Sequence, residues 1–359
     1  MLNVNVPVRY CDLFNSGKFM KEKNSFNVIS AVMILFLCGA VLSCSAKKNV
    51  SPRKFSIVAT GFPCYDFARA VAGTGDASRN YVFSGMENTG AEITMLIKPG
   101  MEVHSFDPSP VDIISIRNAD LFVHVGGESD EWVEKIMDSF SGAEIPTFVF
   151  MENVRLLEED EESVLEDEEK PHGHHGHGHG ENVHEADEHV WTSPENSVLI
   201  VNALAERLSG LNPQNRDAYR KNAGIYTALI VEQARKIRDV VNSKEERFIV
   251  MGDRFPLRYF ADEFGIEYVA AFSGCSTAVE ASPATLAALI ATVREKKLPA
   301  VFTIELSNRK IASVVAESSG AEVIELNAAH NLTKKQFDSE FSYIDALSDN
   351  ADALARGMR

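Results

Sequence analysis

The chain has 359 residues, 45% of them hydrophobic, and its 52 acidic against 35 basic side chains give a formal net charge of −17. With so acidic a balance and no basic patch, nucleic acid is excluded as a partner. Five cysteines occur with no CxxC or Cys/His spacing, so no thiolate zinc motif is indicated.

Lys21 and Lys23 precede the apolar stretch Val28–Leu42, and Val41-Leu42-Ser43-Cys44 has the form of a lipobox. Residues 1–44 therefore read as an export signal whose Cys44 is lipidated. The stretch is shorter than the roughly 20 residues of a spanning helix, and an uncleaved anchor is the alternative. Residues 1–19 are an unusual leader, which makes Met20 an alternative start. Either way the body is expected outside the cytoplasm, attached to the cell membrane. Cys11 and Cys38 leave with the signal, and Cys64 and Cys275 remain as one disulfide or two free thiols.

After a tether at residues 45–53, strands are predicted at Lys54–Thr60, Glu92–Ile97, Leu121–Val125 and Thr147–Phe150. A helix opens at Phe62-Pro63, and Ser109–Asn118 and Asp130–Phe140 read as helical. This alternation predicts an α/β lobe over residues 54–208 with a mostly parallel sheet. Residues 152–188 interrupt it as an acidic, His-rich stretch expected to be disordered. The stretch holds the run Glu158–Glu169 and then His172, His174, His175, His177, His179 and His184. Glycine at every second or third position there denies a helix or a packed core. Clustered imidazoles on a tether suit Zn²⁺, Cu²⁺ or Ni²⁺, and the expected role is metal collection, with a dispensable linker as the alternative.

Ser193–Leu208 reads as an amphipathic helix. Pro213 to Asn242 follows as one long helix with Ala218, Ile225, Ala228, Leu229, Ile237 and Val241 as its buried positions. At about 1.5 Å per residue it spans some 45 Å, which suits a stiff connector, residues 209–243, between two lobes. A second alternation fills residues 244–359. Its strands are Arg247–Met251, Glu267–Phe272, Ala300–Ile304 and Glu322–Leu326, and its helices are Arg258–Phe264, Ser282–Lys297, Arg309–Ser318 and Phe341–Arg356. The fold class is thus α/β, with two similar lobes joined by a rigid helix and a ligand in the cleft between them.

Ligands of doubly wound sheets sit beyond the carboxyl ends of the strands. His104 follows the strand ending at Ile97, and His189 follows the His-rich stretch with Trp191 able to wall the site. Asp253 follows the strand ending at Met251, and His330 the one ending at Leu326. Four nitrogen or oxygen donors suffice for a closed tetrahedral site.

Pro99-Gly…His104…Pro108-Ser109, Ala119-Asp120-Leu121…Gly127-Glu128…Trp132, and His189-Val-Trp191…Pro194 after a His-rich insertion resemble the zinc- and manganese-binding substrate-binding proteins of ABC transporters. Asn212-Pro213…Asn215…Tyr219…Asn222 is similar to the start of that family's linking helix. The likeness covers about residues 54–359, and the insertion resembles the zinc-specific branch. It implies two α/β lobes and a metal held between them by three histidines and a carboxylate, or two of each. His104 and His189 match the first and second ligand positions. At the third the family has His or Glu where this chain has Gly252-Asp253-Arg254, with Asp253 the substitute. The family's terminal aspartate falls near Asn327, a poor ligand, with His330 three residues on as the replacement and Glu305 as a further candidate.

The expectation is an extracytoplasmic, lipid-anchored, monomeric protein that binds Zn²⁺ as transported solute and delivers it to an ABC permease and its ATPase. Two or three imidazoles favour Zn²⁺ over Mn²⁺, although a set of two histidines and two aspartates suits Mn²⁺ or Fe²⁺ as well. A zinc hydrolase and a surface adhesin are the readings from other classes. No HExxH occurs, and the insertion lacks the aspartate of an HxHxDH motif, so no enzyme activity is expected.

Overall fold

Two four-stranded sheets carry the chain, each followed strand by strand with helices. A computed structural model describes residues 53–140, 142, 144–160, 163–165, 186–276 and 280–359. The expected signal with Cys44, the tether short of residue 53, and His172–His184 lie outside the described residues. No helix among the described residues is long and apolar enough to cross a membrane.

The first sheet comprises β1 (Ser56–Ala59), β2 (Glu92–Met95), β3 (Leu121–His124) and β4 (Thr147–Val149), in the order β2-β1-β3-β4. The second comprises β5 (Phe248–Arg254), β6 (Glu267–Phe272), β7 (Ala300–Ile304) and β8 (Glu322–Leu326), in the order β6-β5-β7-β8. Both orders are the same permutation, and every strand pairing is parallel. Parallel neighbours need crossovers, which α1 (Phe62–Ala72), α2 (Pro110–Arg117) and α3 (Glu131–Ser139) supply in the first lobe. In the second lobe α6 (Arg258–Phe264), α7 (Pro283–Lys296) and α8 (Lys310–Ser319) do so. Central strands such as Leu121–His124 and Ala300–Ile304 are buried along their whole length, as strands covered on both faces must be.

Between the lobes lie α4 (Pro194–Leu211) and α5 (Arg216–Asn242), with a short 3-10 turn over Pro213–Asn215. Ser193 starts α4 by accepting a hydrogen bond from the Asn196 amide. The buried stripe of α5 is Tyr219, Asn222, Ala223, Tyr226, Ile230, Gln233, Ile237 and Val241. This corrects part of the expected face, because Ala228 is exposed and Ala218, Ile225 and Leu229 are only half-buried. Two polar members of the stripe hid it from an apolar count. Asn222 is there because its amide donates to the Val71 and Glu87 carbonyls and accepts from the Glu87 amide. Gly73, at φ 64°, ends α1 where a Cβ would sit 2.1 Å from the Glu87 oxygen, so this close crossing admits only glycine.

The chain closes through α9 (Lys334–Asp338), a short helix the pattern did not reveal, and α10 (Tyr343–Gly357). One hydrophobic cluster runs from Ile57 through α1 and α5 to Leu354, so the lobes share a core. At its heart lies a charged knot. Arg69 Nε donates to Asp66 at 2.8 Å and a second guanidinium nitrogen to Glu340 at 2.8 Å. The Asp66 carboxylate also accepts from the Tyr226 hydroxyl and from the Tyr343 amide at 2.9 Å. Helices of the first lobe, the connector and the second lobe thus meet on one buried carboxylate.

The expectation of disorder across 152–188 needs correction at its flanks. Residues 163–165 join the edge of β6, where Val164 pairs with Ala270 and the Thr285 hydroxyl donates to the Leu165 carbonyl at 2.7 Å. Glu158 pairs antiparallel with Ala186, and the Asp187 amide donates to the Leu157 carbonyl at 2.9 Å. An acidic run was read as solvated chain, but an open sheet edge offers its amides and carbonyls to any passing strand. The segment therefore departs from the first lobe and roots on the second.

Asp66→Ala leaves the Arg69 guanidinium buried without its main partner, and the expected loss is about 3–5 kcal/mol in denaturant unfolding. Arg235→Ala, which breaks an exposed pair with Asp239, is expected to leave the same midpoint unchanged.

Candidate metal centre

Three histidines from three distant segments meet where the lobes touch. One ring nitrogen from each of His104, His189 and His330 lies within 4.8 Å of the other two. The ring centroids are 5.9 Å apart for His104 and His189, 5.7 Å for His104 and His330, and 4.6 Å for His189 and His330.

His104 sits on the loop after β2, which turns at Gly100 with φ 82°. The side chain of Asn331, from the second lobe, clamps this loop by donating to the carbonyls of Lys98 at 2.9 Å and Met101 at 2.8 Å. His104 Nδ1 lies 2.8 Å from the Ser129 Oγ. The single serine proton goes to Glu188, which also accepts the Ser129 amide at 2.8 Å. Ser129 must therefore accept from His104, so Nδ1 carries the imidazole proton and the lone pair is on Nε2.

His189 opens the turn before α4 and is fully buried. Its Nδ1 is 3.0 Å from Asp187, whose same oxygen accepts the His189 amide at 2.7 Å. Nε2 is left buried with no hydrogen-bond partner, and Nε2 of His330 is in the same state. Buried polar nitrogens are expensive to leave unpaired, and two facing each other fit a cation between them. A hydroxyl behind His104 and a carboxylate behind His189 fix the orientation of those two rings, the usual support of a metal-bound histidine.

His330 owes its position to the loop after β8. Glu305 accepts the amides of Ala328 and His330, both at 2.8 Å. The Asn327 side chain accepts the Ala329 amide at 2.8 Å, holding Ala329 at φ 55°. Trp191 completes the wall, its ring 5.3 Å from His330 and its indole N–H donating across the seam to the Ala328 carbonyl at 2.8 Å. Burial and the neighbouring imidazoles push His104 down to about 4 and hold His330 well below the ordinary imidazole value. Both rings are neutral donors at physiological pH. At His189 burial also opposes a charge, but Asp187, with Glu188 and Glu159, outweighs it and raises the ring's basicity.

The expected ligands Asp253 and Glu305 fall outside this cluster. β5 was expected to end at Met251 but runs to Arg254, with a register shift between these two residues. Gly252 lies against α8, where a Cβ would come within 2.6 Å of the Ala312 Cα. Asp253 is thereby turned onto its own lobe, where the hydroxyls of Thr303, at 2.7 Å, and Ser307 occupy one carboxylate oxygen. Glu305 spends both oxygens on backbone amides, and burial pushes its carboxyl up to about 7. Both carboxylates position loops. His124 is buried against Phe122 and stands apart from the cluster. The sequence reading gave no role to Asp187, Glu188 and Ser129, although Asp187 and Glu188 stand immediately before His189 as its motif runs. Cys64 and Cys275 are free thiols.

Residues 57–357 match the ZnuA family, described as zinc-uptake complex component A, periplasmic. The chain belongs to that family. Family members are solute-binding components of zinc uptake. The chain is 28% identical over 339 residues to the high-affinity zinc uptake system protein ZnuA of Bacillus subtilis, covering 94% of this chain and 97% of that one. It is 27% identical over 325 residues to the zinc-binding lipoprotein AdcA of Streptococcus pneumoniae strain R6, covering 90% of this chain. It spans only 60% of the length of that relative. The crystal structure of zinc(II)-bound AdcA from S. pneumoniae superimposes with a TM-score of 0.66 at 26% identity, covering 85% of this chain and 58% of that one.

Asp187→Ala removes the acceptor behind His189, and zinc affinity measured by chelator competition is expected to fall about 10–100-fold with the fold intact.

Proposed function

We propose that this protein captures zinc outside the cytoplasm with His104, His189 and His330 and passes it to an ABC permease for import. The observation that carries this reading is the pair of buried, unpartnered Nε2 atoms of His189 and His330 beside the His104 ring. Three imidazoles with no carboxylate among them suit Zn²⁺, and a fourth position stays open to water or a further donor. Mn²⁺ prefers more oxygen ligands, which argues against the manganese alternative.

The zinc arrives as cargo, so the seat must hold it without doing chemistry on it. Trp191, Ala328 and the clamped His104 loop keep bulk water from the imidazoles. The shared core and the Asp66 knot limit the motion of the lobes, so release to the permease depends on prising the seam rather than on a wide hinge. Lipidation at Cys44 would keep the protein at the membrane near its permease, and His172–His184 would raise local zinc concentration near the cleft. The zinc relatives, one of them named a lipoprotein, support this reading.

The test is zinc titration against a chelator. His189→Ala or His330→Ala should weaken binding by more than the roughly 10–100-fold of an outer-shell change, while Asp253→Asn leaves affinity within scatter. Deleting residues 172–184 should lower the zinc stoichiometry and keep one tight site. Loss of tight binding on that deletion, or on Asp253→Asn alone, would sink the three-histidine seat.

A further inference from the structure

A second convergence of donors adjoins the first and shares one ring with it. One ligand atom each from His104, Glu188 and Cys275 lies within 4.8 Å of the other two. Neither Glu188 nor Cys275 reaches the His189–His330 group at that spacing, so the two sets are neighbours that share only His104. The shared ring faces them with different atoms. His104 Nδ1 is 3.6 Å from Glu188, while the proton accounting above gives Nε2 to the three-histidine seat.

The turn that carries Cys275 is fixed against the site. A Cβ on Gly274 would lie 3.0 Å from His189 Cε1 and 3.2 Å from both its Nδ1 and the Phe255 carbonyl oxygen, so the backbone is pressed onto the ligand ring. The thiol hydrogen-bonds with Glu159, beside the strand pair at Glu158 and Ala186. Burial and the carboxylates of Glu188, Glu159 and Asp187 push the thiol's acidity far down, so it stays protonated until a cation displaces the proton. Glu188 is buried and Cys275 half-buried, as His189 is buried and His330 half-buried, so the two sets are shielded from solvent to a similar degree.

We infer that His104, Glu188 and Cys275 form a second station for a borderline-soft divalent cation such as Zn²⁺, alternative to the three-histidine seat. A neutral imidazole has one lone pair, so His104 serves one station at a time. Transfer to it breaks the metal–nitrogen bonds to His104 Nε2, His189 and His330, moves the imidazole proton of His104 from Nδ1 to Nε2, displaces the Ser129 hydroxyl from Nδ1, and forms bonds to Nδ1, Glu188 and the Cys275 sulfur as the thiol proton leaves to Glu159 or solvent. Thiolate, imidazole and carboxylate together select Zn²⁺ or Co²⁺ over Mn²⁺. The inference rests on the zinc reading, which it deepens by giving the cargo a second resting place at the seam.

Cobalt(II) titration of the full chain, followed by absorbance, separates the outcomes. Tetrahedral cobalt gives visible ligand-field bands with any donor set, but a near-ultraviolet sulfur-to-cobalt band only with a bound thiolate. His330→Ala removes a donor from the three-histidine seat alone, so the sulfur band should appear or strengthen, and it should vanish in His330→Ala/Cys275→Ser. His189→Gln offers the same comparison if circular dichroism finds His330→Ala misfolded. Ligand-field bands without a sulfur band in both variants of the three-histidine seat, or a sulfur band that survives Cys275→Ser, overturns the second station and leaves the zinc reading standing. An unsubstituted chain with no tetrahedral bands overturns both.

Discussion

Two buried imidazole nitrogens face each other without partners, and the rest of the molecule is arranged to keep them so. A lone His189 ring in a dry core would turn its free nitrogen to a carbonyl or carry a proton. Here Asp187 holds its Nδ1, Ser129 and Glu188 hold the Nδ1 side of His104, and the amide ladder on Glu305 holds the backbone of His330. Two of the rings are fixed from behind and the third through its backbone, and a ring nitrogen of each lies near the other two. An unfilled polar cluster of this kind costs stability in the empty protein, and cation binding recovers that cost.

That arrangement needs a rigid seam, because the three histidines come from both lobes. Connector α5, the Asp66 knot and the continuous core supply it. Asn331 and Trp191 then reach across to the opposite lobe beside the ligands, so metal geometry and lobe packing are set by the same contacts. A small displacement at the seam, such as a permease could impose, moves His330 away from His104 and His189 together. Under the proposed function, affinity and release would both be controlled by this one interface.

Most of the fold was readable from the chain because its signals are local. Parallel strands buried on both faces are short apolar runs, and Pro63, Ser193 and Ser282 mark helix starts through backbone geometry. Where reading failed, the deciding interaction lay far away. Asn222 and Gln233 belong to the buried stripe of α5 because of partners and packing in other elements, which an apolar pattern does not register. Residues 163–165 are ordered by the edge of β6, a hundred residues further along. His104 and His330 stood out as histidines just beyond strands and His189 by the motif after the His-rich stretch, but the fate of Asp253 turned on Gly252 lying against α8, a contact no spacing encodes. Glu305 likewise looked like a donor until the backbone amides of the following loop filled its oxygens.

The convergence of the three rings is best tested by diffraction at the zinc edge from crystals of the protein lacking residues 172–184, grown with one equivalent of zinc. The account predicts one strong anomalous peak about 2.0–2.1 Å from a ring nitrogen of each of His104, His189 and His330. A principal peak that touches neither His189 nor His330, or no peak at the seam, would contradict it.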